Sequence, residues 1–124
     1  MSGNVKFDKW VNDDNSENYK CRAWVSFIGS GTVAIRASGN VASITDNGTG
    51  DYTVNFTTAM PDANYATQIS AWYGSDVVTS LVVPVGLKRG QAPTTSTVRV
   101  QTSNTVWNNS SGVNVDGIYV SVFR

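Results

Sequence analysis

The stretch from Gly29 to Ala66 alternates apolar and polar side chains, and this period constrains the fold more than any other feature of the chain. Tyr52, Val54 and Phe56, for example, are each separated by one polar residue. A repeat of two is typical of a β-strand that buries one face and exposes the other. The intervening Gly-Asn and Asn-Gly pairs favour tight turns, because these residues adopt positive φ at little cost. The stretch therefore predicts an antiparallel meander of three strands.

Similar alternation continues through the rest of the chain, whereas no long window shows the helical period. We predict an all-β antiparallel β-sandwich of about eight strands over residues 19–124, preceded by a polar connector at 1–18. The last strand slips in phase at Asp116-Gly117, which is typical of a β-bulge. In the first strand Trp24 and Ile28 lie opposite the predicted inner face. That outer face is too apolar for open solvent, which favours a subunit contact or a second buried layer. The predicted strands span residues 19–28, 32–38, 41–45, 51–58, 65–73, 77–85, 96–103 and 113–123.

Charge and residue usage argue against several classes of function. Nine basic and nine acidic residues cancel, so no net field attracts nucleic acid or anionic lipid. No apolar run approaches the ~20 residues of a membrane helix, so no membrane insertion is expected. The sequence has no histidine and a single cysteine, which removes the usual catalytic triads and thiolate zinc sites. We therefore expect no enzyme activity and no cofactor.

The acidic residues fall at turns. Asp46 and Asp51 bracket the DNGTGD stretch, whose oxygens suit Ca²⁺ but are too few for a complete site. A hairpin turn accounts for the same residues, so we predict a turn and leave Ca²⁺ as the alternative. Glycoside cleavage needs two carboxylates roughly 5 to 9 Å apart in one cleft, and no pair is placed in a common groove by its spacing.

Recognition remains as the candidate chemistry. Sugar rings stack on aromatic faces, while amides, hydroxyls and carboxylates bind sugar hydroxyl groups. One predicted loop, residues 104–112, and the turn at a strand end, residues 72–76, have this composition. A second loop, residues 86–95, carries adjacent cations that suit an acidic polysaccharide. The alternative is that both tryptophans fill core or intersubunit space and that the cations are simply solvated. The candidate receptor-binding residues are Trp107, Asn108, Asn109, Trp72, Tyr73, Asp76, Lys88 and Arg89.

The segment KCRAWVSFIGSGTVAIRASGNV followed by SITDNGTGDYTVNFTTAMPDANYA resembles tail-fibre and receptor-binding proteins of tailed bacteriophages, and DGIYVSVFR echoes them more weakly. The resemblance covers roughly residues 19–66. It implies the terminal domain of a virion tail fibre, a parallel homotrimer that recognises host cell-surface glycan or protein during adsorption. It also implies that the N-terminus joins the fibre shaft or other virion and tail proteins.

Three alternatives to this function remain open. The first is a structural trimerisation or capsid-decoration module that binds no receptor. The second is a carbohydrate-binding module attached to a bacterial enzyme, and the third is a fragment of a glycan-cleaving tailspike. Oligomeric state separates fibre proteins from a free module, and glycan binding separates a receptor-binding tip from a structural module.

Overall fold

The computed structural model describes residues 3–17, 19–74, 84–103 and 115–124. This part of the chain forms eight strands and no helix, as the alternation predicts. Consequently, none of it forms a helix suited in length and hydropathy to crossing a bilayer. The strands are β1 (Cys21–Ile28), β2 (Ala34–Gly39), β3 (Val41–Gly48), β4 (Asp51–Phe56), β5 (Ala66–Trp72), β6 (Val85–Leu87), β7 (Thr97–Thr102) and β8 (Gly117–Phe123).

The strands make two four-stranded antiparallel sheets. The first sheet has the order β2-β1-β8-β5 and the second has the order β3-β4-β7-β6. Inward-facing side chains of both sheets form one core cluster. The β-sandwich predicted from the sequence is therefore confirmed.

The core is held by alternate residues of each strand. Phe27 of the first sheet packs edge-on against Tyr52 of the second, with ring centroids 5.3 Å apart. The buried Tyr52 hydroxyl donates a hydrogen bond to the Gly29 carbonyl at 2.6 Å. This contact ties the two sheets together, since Gly29 directly follows β1. Each large apolar side chain buried in this way stabilises the fold by about 1.5–3 kcal/mol.

The predicted three-stranded meander is wrong in one connection. β2 pairs with β1, and β3 pairs with β4, so the chain changes sheets between β2 and β3. Asn40, with φ of 56°, forms this corner. Its side-chain amide donates to the Arg22 and Thr58 carbonyls and accepts from the Thr58 N–H. These long-range bonds distinguish a corner from a hairpin, and a local Gly-Asn pair carries no sign of them.

Three further local predictions have different outcomes. The turn predicted between Asp46 and Asp51 is confirmed as a hairpin, in which the Asp46 carboxylate accepts the Gly48 N–H at 3.0 Å. Val115 and Ile118 are both buried although they are three positions apart, so the alternation changes phase between them. This change lies at the start of β8, which begins at Gly117, and not inside the strand. Residues 77–83 of the predicted sixth strand and 113–114 of the last lie outside the described residues.

The N-terminal segment, residues 3–17, differs from the sandwich. It has one isolated antiparallel bridge, between Val11 and Glu17, around a turn in which the Asn15 N–H donates to the Asn12 carbonyl. Its apolar side chains are exposed, and the Phe7 and Trp10 ring centroids lie 6.1 Å apart.

Candidate functional site

Half of the predicted receptor-binding residues fall outside the described residues. Asp76 belongs to residues 75–83, and Trp107, Asn108 and Asn109 belong to residues 104–114. The predictions for these four residues stay predictions.

Trp72 and Tyr73 are adjacent in sequence but point to opposite faces of the first sheet. Trp72 ends β5 on the outer face and is exposed. Tyr73 is partly buried and packs against the core. Strand alternation accounts for this separation. Of the two residues, Trp72 is therefore the one that can contact a ligand across the outer face.

Lys88 and Arg89 lie after β6, in the second sheet. The Lys88 ammonium forms an ion pair with Asp51 at 3.0 Å, and the Arg99 guanidinium binds the same carboxylate through two hydrogen bonds. Arg89 is exposed. Trp72 belongs to the first sheet and Lys88 follows a strand of the second, whereas Trp107 lies outside the described residues.

The outer face of the first sheet carries an exposed set of aromatic side chains, which we call the aromatic face. Its members and their exposed fractions are Trp24 (45%), Trp72 (51%), Tyr119 (38%) and Phe123 (38%). They come from β1, β5 and β8, which are neighbours in the sheet although they are far apart in the chain. The prediction that Trp24 faces outward is confirmed.

The strand register places three of these rings on one diagonal. Trp24 pairs with Ser121, and Trp72 pairs with Gly117. Tyr119 lies midway between those two positions on β8, so it is the diagonal neighbour of both tryptophans. Diagonal neighbours on one face of a sheet are about 7–8 Å apart. The rings of Trp24, Tyr119 and Trp72 thus follow a line across β1, β8 and β5.

A glycine lies beneath each ring on this diagonal. A Cβ added to Gly39 would come within 2.5 Å of the Trp24 indole nitrogen. A Cβ on Gly117 would lie 2.9 Å from the Tyr119 hydroxyl oxygen, and one on Gly74 would lie 3.1 Å from the Trp72 ring. Because these three positions are glycines, the rings can approach the backbone without meeting a side chain.

A groove of about 440 Å³ lies between Trp24 and Tyr119. Serine and glutamine side chains alternate with the aromatic rings along it: Ser26, Gln68, Ser70 and Ser121. None of these four side chains hydrogen-bonds to another described residue. Hydroxyl and amide groups both donate and accept, so the groove offers unused hydrogen-bonding capacity beside apolar rings.

The groove lining includes no charged residue. Outside the groove lining, two charged side chains, Arg36 and Asp116, lie near Gly117 and Gly74. There the Arg36 guanidinium donates to the Asp116 carbonyl at 3.1 Å. The Asp116 carboxylate accepts the Gly74 N–H at 2.6 Å and the Ser30 hydroxyl at 3.3 Å. The groove is therefore electrostatically suited to a neutral ligand.

The Asp46–Asp51 hairpin is poorly suited to a cation. The hydrogen-bonded guanidinium of Arg99 holds the pKa of Asp51 below its usual value, against the opposing effect of burial, and Lys88 adds to the lowering. Two protein cations already neutralise this carboxylate, and the Asp46 carboxylate closes the turn. Within the described ranges, no three acidic, histidine or cysteine side chains cluster as metal ligands. A polar cleft of about 260 Å³ adjoins this hairpin, between Asn47 and Ser103.

The sequence interpretation did not assign a site role to Tyr119, Gln68, Ser70 or Ser121. The alternation of IYVSVF already indicates that Tyr119, Ser121 and Phe123 share one face. Their position between Trp24 and Trp72 depends on β8 inserting between β1 and β5, which local sequence does not encode. Comparison of the chain with protein-family models, curated proteins and solved structures gives no match.

Proposed function

We propose that this chain is the tip domain of a bacteriophage tail fibre, which binds a host cell-surface glycan or protein during adsorption without catalysing a reaction. The resemblance of residues 19–66 to tail-fibre proteins supplies the biological setting. The aromatic face is the structural observation that carries the binding role. It combines exposed rings with unused hydrogen-bonding groups on a rigid sheet, as recognition sites commonly do.

A non-enzymatic role is supported by what the carboxylates do. Asp51 and Asp62 each bind an arginine through two hydrogen bonds. The Arg124 guanidinium lowers the pKa of Asp62 to about 2. Such carboxylates remain ionised at neutral pH, whereas a general acid for glycoside cleavage needs a raised pKa. These two carboxylates therefore form ion pairs within the fold and are unsuited to act as a general acid.

In the proposed fibre, three copies assemble about a common axis through the N-terminal segment, which also leads toward the shaft or other virion proteins. Exposed apolar side chains on that segment support this arrangement, because Phe7 and Trp10 lack cover within one chain. The proposal assigns the aromatic face of each copy to the receptor. Three sites per tip then bind a cell with higher avidity than one site alone.

The proposal is tested by binding of the purified chain to candidate host cells, together with light scattering of the same sample. We expect a trimer of the 13.3 kDa chain that binds cells and releases no reducing ends from their polysaccharide. A trimer that binds no host would favour a structural or capsid-decoration module. Release of reducing ends would contradict the non-enzymatic assignment.

The aromatic face also favours a second candidate, a carbohydrate-binding module attached to an enzyme. The light-scattering measurement distinguishes the two. A chain that stays monomeric and binds glycans would support the module and contradict the fibre. Truncation to residues 19–124 removes the proposed assembly segment and leaves every described strand in place. Light scattering of the truncated chain should therefore show a monomer if the segment holds the trimer together.

A further inference from the structure

We propose that the aromatic face binds a neutral oligosaccharide, laid along the diagonal from Trp24 through Tyr119 to Trp72. This inference rests on the proposed receptor-binding function and specifies its ligand class and its location. It places recognition on the flat side of the first sheet, whereas the sequence pointed to loops and strand ends.

The first argument is the support beneath the rings. The glycines at 39, 117 and 74 leave no side chain between each ring and the backbone, so the rings can lie close to the sheet. A ring that lies this close to the backbone has restricted movement and therefore loses little freedom on binding. The apolar C–H face of a sugar ring complements an aromatic face, which carries the negative part of the ring quadrupole.

The second argument is length. Two diagonal steps across neighbouring strands span about 15 Å. Trp24 and Trp72 mark the ends of this line, and Tyr119 lies between them. That distance exceeds the width of one sugar ring, so several linked rings are needed to contact all three aromatic side chains.

The third argument is the chemistry between the rings. Gln68, Ser70 and Ser121 are available to bind sugar hydroxyl groups, because they have no partner among the described residues. The groove lining lacks charge. Arg36 and Asp116, the charged side chains near Gly117 and Gly74, are of opposite sign, so this end of the diagonal offers no net counter-charge to an acidic sugar. A neutral, hydroxyl-rich ligand satisfies both observations.

The same chemistry argues against a second copy of this chain as the occupant. Subunit interfaces are enriched in aromatic residues but depleted in serine, which is costly to bury without a partner. Three serines line the centre of this groove. The N-terminal segment, in contrast, presents Phe7, Trp10 and Val11 outside the sandwich and is the better surface for assembly.

The experiment is a titration of the full-length ¹⁵N-labelled chain with short neutral gluco-, galacto- and manno-oligosaccharides, with uronic-acid oligosaccharides in parallel. The indole N–H signals, assigned by single Trp→Phe variants, report each tryptophan separately. We expect one neutral series to shift the signals of Trp24 and Trp72 and to leave Trp10 unmoved. Trp10 is an exposed tryptophan of the N-terminal segment and is not a member of the aromatic face, so it is an internal control.

Three variants test the geometry. Trp24→Ala should weaken binding about tenfold, the equivalent of losing one good stacking contact. Gly39→Ala keeps the tryptophan but displaces its ring, so it should also weaken binding. Ser70→Tyr fills the groove from an exposed strand position that tolerates an aromatic residue, and it should block binding in a folded protein. Leu87→Ala, an exposed apolar truncation on the second sheet, should leave affinity unchanged.

The outcomes separate this inference from the proposed function. If the chain binds cells but the indole signals of Trp24 and Trp72 stay fixed with every neutral series, the aromatic face is not the site. Loss of cell binding on protease treatment of the cells would likewise point to a protein receptor and overturn the inference alone. Protection of the face in a solution trimer would assign it to a second copy. Failure to bind any host cell would overturn the proposed function itself.

Discussion

The outer faces of the two sheets have the same strand count and period, but they use their side chains in opposite ways. On the second sheet, polar side chains satisfy one another. The Asn55 amide donates to Ser43 and Thr45, and the Asn47 amide donates to Thr53. On the first sheet, rings and hydroxyl groups of the aromatic face point outward and have no such partners among the residues that the structure describes.

This difference shows that exposure alone does not make a binding surface. A ligand that competes for these bonded groups of the second face must break existing hydrogen bonds. The first face offers apolar area and hydrogen-bonding groups that the fold does not use. We therefore expect stability changes to dominate when the second face is mutated, and binding changes to dominate when the first is.

The largest expected effect comes from comparing the inner and outer sides of the first sheet. Phe27→Ala, in the core, should lower the free energy of unfolding by about 3–5 kcal/mol. Phe123→Ala, on the aromatic face, should lower it by less than about 1 kcal/mol, because its ring is partly solvated already. Chemical denaturation measures both values. Equal losses would mean that the outer face is covered in solution.

The next effect concerns a hydroxyl group that joins the sheets. Tyr52→Phe removes the bond to the Gly29 carbonyl and should cost about 1–3 kcal/mol, because the buried acceptor loses its partner. Tyr119→Phe is the matched control on the aromatic face and should be close to neutral. Thermal unfolding of both variants is the measurement, and a neutral Tyr52→Phe would show that the sheets do not need this link.

A smaller effect is expected for the ion-pair network of the second face. Asp51→Asn should lower stability by about 1 kcal/mol, since the carboxylate binds Arg99 and Lys88 but remains near solvent. The loss should shrink at high salt, which screens the interaction. Ser70→Ala on the aromatic face should show neither the loss nor the salt dependence. A salt-independent loss for Asp51→Asn would assign the effect to packing.

The smallest effect is a pH dependence at Asp62. Its folded pKa of about 2, set mainly by Arg124, lies below the ordinary value of 3.8. A depressed carboxyl pKa stabilises the fold above about pH 4, and this contribution disappears as the pH falls toward 2. Asp62→Asn should flatten the free energy of unfolding across that interval, measured by denaturation at each pH. A slope in Asp62→Asn equal to that of the wild type would contradict the assignment to this ion pair.

Sequence periodicity predicted the parts of the fold that depend on neighbouring residues. The alternation of Tyr52, Val54 and Phe56 identified β4 and its buried side, and the outward direction of Trp24 followed in the same way. The pairing of β2 was predicted wrongly, because the Asn40 corner is stabilised by residues 18 positions away on either side. The local sequence around Trp72 and Lys88 does not indicate that β5 and β6 belong to different sheets, because sheet membership depends on long-range pairing.

By itself, the sequence determined which side chains of each strand point inward and which point outward, since a period of two is a property of the local backbone. The tertiary structure alone decided which outward side chains become neighbours. Trp24, Tyr119 and Trp72 align because β8 pairs with both β1 and β5 in a particular register. Strand order and register follow from long-range pairing and core packing, and for that reason the aromatic diagonal could not be seen in the chain before it folded.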